Sequence, residues 1–139
     1  MASSNAGILT KRLADAYFTG SYKFLLVSAV PSEANLDAFD FRDDIVDEVA
    51  NSGTYVSGGA AVTCTVGSYD SANNRVEVTF GNPETFTSAT ISSPGGWIYK
   101  VIGAAATDQL VAFVDFGGTK TSTAGDFAVT FTTPLYVNR

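Results

Sequence analysis

The 139-residue chain contains no histidine and a single cysteine, Cys64. Without histidine, the usual general base at neutral pH and the commonest metal ligand are both missing. A hydrolytic triad built on an imidazole is therefore excluded. One cysteine rules out an internal disulfide and any zinc site made of several thiolates. Charge is also sparse: Asp, Glu, Lys and Arg make up 16% of the chain, against roughly a quarter in typical soluble domains. Eight bases face fourteen acids, for a net charge of −6. Apart from Lys11-Arg12 the bases are scattered singly, and phosphate binding needs them clustered to release counterions, so no nucleic-acid partner is expected. No run of about 18 apolar residues occurs, so no membrane helix is expected. The opening MASSNAGILTKRLADAYF has no apolar h-region, and a secretory signal is not expected there either.

What fills the space left by charge is hydroxyl: 16 Thr and 13 Ser. Such a surface is neutral and suits broad contact with other protein. The length matches one ordinary domain, 1–139, that buries a core without disulfides or metal.

Residues 3–5, Ser-Ser-Asn, offer side-chain oxygens to the unpaired amides of a first helical turn. Leu9, Leu13, Ala16 and Tyr17 then recur at helical spacing, and Gly20 supplies a stop. The spacing predicts a helix over about residues 6–18 that covers one end of a sheet or, alternatively, serves as an arm docking on a neighbouring subunit. Tyr22 to Val30 is apolar on both faces, as a central strand would be, and Pro31 ends it. The stretch 32–50 holds seven acids, Glu33, Asp37, Asp40, Asp43, Asp44, Asp47 and Glu48. Phe41, Ile45, Val46 and Val49 are spaced for a short helix over about 42–50 with its acids outward. A Ca²⁺ site would use several such carboxylates, but the twelve-residue loop with its central Gly and closing Glu is absent, and a solvated helix face is the simpler reading.

Ala60, Val62, Cys64 and Val66 alternate with smaller or polar residues and predict one strand with the thiol inward. Buried, that thiol acts as a small hydrophobe, since a thiolate nucleophile needs an activating setting and the chain has no His to supply it. A turn over Tyr69–Arg75, with Asn73-Asn74 suited to positive φ, joins it to Arg75–Phe80, whose Val76, Val78 and Phe80 share a face. A weak strand over 85–91, a Ser92-Ser-Pro-Gly-Gly turn and a three-strand meander, Trp97–Ile102, Leu110–Phe116 and Phe127–Thr132, complete the reading. The fold class is mainly β: a β-sandwich or open barrel of six to seven mostly antiparallel strands, with an N-terminal helix and a second short helix.

Chemistry is thinly represented. Asp115, Glu77 and Asp126 are the carboxylates nearest to strand positions from which a glycosidase-like pair could be drawn, although a solvated strand face accounts for them as well. The Gly pairs 58–59, 95–96 and 117–118 precede no helix and form no phosphate loop. Trp97, Tyr99 and Tyr55 could stack on a sugar or serve as core. No cofactor and no metal is expected.

The order of residues in TYVSGGAAVT, YDSANNRVEVTF, WIYKVIG and LVAFVDFGGTKTSTAGDFAVTF resembles that of small virion structural proteins of tailed bacteriophages. It covers roughly residues 54–131, and its motifs are turns and strands. The resemblance implies a capsid decoration (cement) protein, not an enzyme, made in the host cytoplasm and carried on the outer capsid surface. Its partners would be the major capsid protein and its own copies as a homotrimer, with Tyr55, Trp97 and Tyr136 as contact residues. The alternative within the same group is a tail or head-fibre accessory protein that binds a host surface glycan.

Overall fold

The computed structural model describes residues 4–138, with side chains from residue 7 onward. The expected cap at residues 3–5 lies outside what is described. In chain order the elements are α1 (Ser4–Tyr17), β1 (Ser21–Val27), α2 (Glu33–Ala38), β2 (Ala60–Val62), β3 (Cys64–Asp70), β4 (Arg75–Phe80), β5 (Phe86–Val101), β6 (Gln109–Phe127) and β7 (Leu135–Asn138). The chain is mainly β, as its alternating pattern predicts. Its strands form two antiparallel sheets, one in the order β2-β1-β5-β6 and one in the order β3-β4-β7, and neither closes into a barrel.

The described elements gather into two compact units, Ser21–Val62 with Pro83–Val129, and residues 4–20 with Thr63–Asn82 and residues 130–138. In the larger unit β1 lies between β2 and β5. Phe24, Leu25, Leu26 and Val27 are fully buried in succession, which is what a strand covered on both faces requires. Leu25, Val27, Trp97 and Tyr99 form a core cluster against which Phe39, Ile45, Val101, Leu110 and Phe113 pack. Trp97 meets Phe113 edge to face at 5.3 Å between ring centroids.

In the smaller unit β3 and β4 form the expected hairpin. Asn74 takes a φ of 54°, and the Asp70 carboxylate accepts the amides of Ala72 and Asn73 at 3.0 and 3.2 Å. Val76 and Val78 are fully buried, and α1 packs on this sheet.

Four expectations are corrected. Residues 92–96 form no turn but lie inside the sixteen-residue β5. Its glycines answer a crowded lattice of strands: a Cβ on Gly95 would strike the Val114 carbonyl and the Phe113 ring, and one on Gly96 the Leu25 carbonyl and the Phe24 ring. A bulge at Ser93/Gly95 is held by the buried Ser93 hydroxyl, which bonds the Val27 and Gly95 carbonyls at 2.7 Å each.

The meander is likewise a single long hairpin. Leu110–Phe116 belongs to the nineteen-residue β6, which bends at Gly117 and Gly118 with φ of 70° and 144° and ends at Phe127. Residues 128–132 form no strand, and the last one is β7. The strand read through residues 60–66 divides at Thr63 into β2 and β3, which join different sheets. Finally, 42–50 is not an α-helix. It contains one 3₁₀ turn, Arg42–Asp44, and then runs extended to an antiparallel bridge between Glu48 and Val27. The second helix is α2, capped by the Ser32 hydroxyl, which accepts the Asn35 amide at 3.2 Å.

Candidate interaction surfaces

Helix α1 packs with the opposite polarity to the one its apolar spacing suggests. Thr10 and Ala14 are 7% and 2% exposed, while Ile8, Leu9 and Leu13 are 53%, 56% and 59% exposed. Small residues permit the close approach. A Cβ on Gly7 would lie 2.5 Å from the Tyr69 ring, so the helix backbone rests almost directly on an aromatic of β3. Phe18, just past the helix, meets Phe80 at 6.4 Å between centroids. The helix covers its sheet through this narrow face and turns its large apolar side chains outward. Lys11 pairs with Asp15 one turn on, and Arg12 is exposed.

A second surface is the excursion that leaves β1 after Val27 and returns beside it. Its two ends meet where the Ser28 amide donates to the Asp47 carbonyl at 2.8 Å and the Val49 amide to the Leu26 carbonyl at 3.0 Å. Between them lie α2, which buries no residue, and the exposed Val30, Leu36, Phe41 and Val46, the last 92% exposed. Three carboxylates fix the path. Asp44 accepts the amides of Phe41 and Asp40 at 3.0 and 2.9 Å, and these two bonds lower its pKa.

Asp108, 3% exposed, accepts from the Ile102 and Gly103 amides at 2.8 and 3.0 Å and from Arg42 Nε at 3.0 Å. Burial alone would raise its pKa, but the two amides and the guanidinium outweigh it and the pKa is lowered. Glu48 accepts from the Tyr55 hydroxyl at 2.9 Å, the Ser57 hydroxyl at 3.0 Å and the Gly58 amide at 2.5 Å. The Tyr99 hydroxyl closes the network by donating to the Gly58 carbonyl at 2.6 Å. Burial pushes Tyr99 up to about 12 and raises Tyr55 as well. Arg42 lies over the Tyr99 ring at 5.3 Å. This network is structural: its donors and acceptors are occupied by one another.

The three expected contact residues separate. Tyr55 has no exposed surface and Trp97 has 5%, so both are corrected from contact residues to core. Tyr55 meets Phe86 edge to face at 4.9 Å. Tyr136 is 37% exposed, with the Arg75 guanidinium 3.7 Å from its ring centroid. A stacking platform of Trp97, Tyr99 and Tyr55 is ruled out by the same burial.

Of the carboxylates considered for catalysis, Asp115 and Asp126 share the larger unit and do not converge within it. Asp115 pairs with Gly95, while Asp126 lies between Gly125 and Phe127, which pair with Ala89 and Phe86; seven or eight strand residues separate those partners, about 25 Å at roughly 3.3 Å per residue, whereas glycosidase pairs stand within about 10 Å. Asp115 is occupied with the Gly117 amide at 2.7 Å. Glu77 is exposed on β4, paired in register with Tyr136. Among the described residues no three of His, Cys, Asp and Glu come together as a metal-binding set. Cys64 is half-buried at the start of β3, opposite Phe80.

Sequence reasoning missed Arg42, Glu48 and Asp108. The one signal was Arg42 itself, the only base among seven acids. No family model, no curated protein and no solved structure matches this chain.

Proposed function

We propose that this chain is a non-enzymatic structural protein of a bacteriophage particle, a decoration or cement protein that works through protein-protein contact. The observation that carries the reading is the inverted packing of α1. A helix whose only task is to cover its own sheet gains most by burying its leucines, at about 25 cal/mol per Å² of apolar surface. Here Ile8, Leu9 and Leu13 are each more than half exposed while Gly7, Thr10 and Ala14 take the sheet. Apolar surface presented in that way is contact surface. The placement on a phage particle comes from the sequence resemblance over residues 54–131, and the low charge and abundant Ser and Thr support broad, weakly charged contacts.

In this reading the partners are the major capsid protein and further copies of the chain, assembled as a homotrimer on the outer capsid surface. A protein that binds assembled subunits and not loose ones shifts the equilibrium toward the closed shell by mass action. Cyclic copies placed at a symmetry axis repeat the same contact. The fibre reading, with glycan binding, loses its stacking residues, because Trp97, Tyr99 and Tyr55 are buried.

Co-sedimentation with expanded capsids of the source particle tests the proposal. Saturable binding, with a higher temperature of capsid rupture, is the expected result. A chain that leaves capsids unbound and unstabilised at large excess, and is missing from the purified particle, overturns it.

A further inference from the structure

We infer that the outward face of α1 takes a second copy of this chain, seated on that copy's acidic excursion at residues 28–47. The inference rests on the reading that the protein works by contact, and it names the occupant of the contact face.

Charge complementarity selects the partner. Residues 33–48 hold seven of the fourteen acids and one base, so this stretch alone accounts for the whole net charge of −6, and the other residues balance seven acids against seven bases. Its base, Arg42, is engaged by Asp108, and Asp44 and Glu48 are occupied with amides and hydroxyls. Glu33, Asp37, Asp40 and Asp43 are left exposed. On α1, Lys11 is taken by Asp15. Arg12 stands exposed one turn from Ile8 and makes no ion pair among the described residues. An apolar helix face carrying an unpaired cation is matched by an apolar surface carrying unpaired carboxylates.

The apolar side chains follow the same division. Most exposed large hydrophobics lie in two places: Ile8, Leu9, Leu13 and Tyr17 on α1, and Val30, Leu36, Phe41 and Val46 on the excursion. Pairing α1 with α1 of another copy would bring two Arg12 side chains onto one seam. Helix on excursion sets that cation against exposed carboxylates instead. The contact is heterologous, each copy giving its helix and receiving another, so it repeats around a ring when the rotation closes.

Light scattering on size-separated full-length protein, over a concentration series at low and high salt, tests this. The wild-type chain should associate, with a dissociation constant that rises at least about tenfold from 50 to 500 mM salt, because exposed charges are screened. Leu9→Ser/Leu13→Ser should remain folded by circular dichroism and be monomeric. Arg12→Glu alone and Asp37→Lys/Asp43→Lys alone should each associate at least about tenfold more weakly than wild type, and an equimolar mixture of the two should recover association. A wild-type chain that stays monomeric, a serine variant that associates like wild type, or a mixture that recovers nothing overturns the inference. Capsid binding is measured separately: a monomer that still binds capsids sinks this contact and leaves the virion reading, whereas association with rescue but no capsid binding does the reverse.

Discussion

The Tyr55 hydroxyl bridges Glu48 and the backbone of β1, donating to the carboxylate at 2.9 Å and accepting the Leu26 amide at 3.0 Å. One buried ring thereby ties the returning arm of the acidic excursion to the central strand of its sheet. Removing that oxygen leaves the Leu26 amide buried without its acceptor, and an orphaned buried donor costs more than the bond is worth on balance. Tyr55→Phe should therefore lower stability by about 2 kcal/mol, seen as a lower urea midpoint at unchanged m-value. A loss below about 0.5 kcal/mol would contradict the burial of this bond.

Acid should loosen the excursion at its other anchor. The folded pKa of Asp108 lies below its ordinary value of 3.8. A depressed carboxyl contributes stability that is complete above the unfolded value and is lost as pH falls through the folded one. Urea midpoints should hold between pH 8 and 5 and fall below about pH 4. Asp108→Asn should cost about 3 kcal/mol at pH 7, because Arg42 loses its buried counter-charge. The gap between variant and wild type should narrow as the pH drops toward 3. A gap that stays constant over that range would show that the charge of Asp108 is immaterial. At the alkaline end Tyr99, pushed up to about 12, has the opposite sign: its contribution is present below its ordinary value of 10 and lost as pH rises beyond it.

The orientation of α1 can be read from a pair of variants. Ser at Leu9 and Leu13 touches exposed positions and should change the stability of dilute, unassociated protein by less than about 1 kcal/mol. Ala14→Leu, in contrast, forces a larger side chain into a buried seat and should destabilise by about 2 kcal/mol. The reverse order of effects would mean that the leucines, and not Gly7, Thr10 and Ala14, face the sheet.

Much of the secondary structure was legible from residue order. Val76, Val78 and Phe80 alternate, Asn73-Asn74 can turn, and a hairpin formed there. Leu25 to Val27 could only be a strand buried on both faces, because its neighbours are apolar too. The errors lie where a local signal has a long-range cause. Ser-Pro-Gly-Gly reads as a turn in isolation, yet Gly95 and Gly96 are small because β1 and β6 press on them. Phe41, Ile45 and Val49 have helical spacing, yet after one 3₁₀ turn Asp47, Glu48 and Val49 pair with Ser28, Val27 and Leu26, so the chain is drawn out. Tyr55 and Trp97 looked like contact residues because they flank turn signals. Only the register of β1 with β5, which sets Trp97 opposite Leu25, and the bond of the Tyr55 hydroxyl to the Leu26 amide show that they fill the core.

The sequence alone determined the β class, the acidic concentration over residues 33–48 and the exclusion of imidazole and multi-thiolate chemistry, because these follow from composition and from a period of two that needs no partner to be seen. Which face of α1 meets the sheet was decided only by tertiary packing. Helical spacing marks the leucines as a stripe, but the close approach of Gly7 to Tyr69 gave the inner face to the smallest side chains and left the stripe outside.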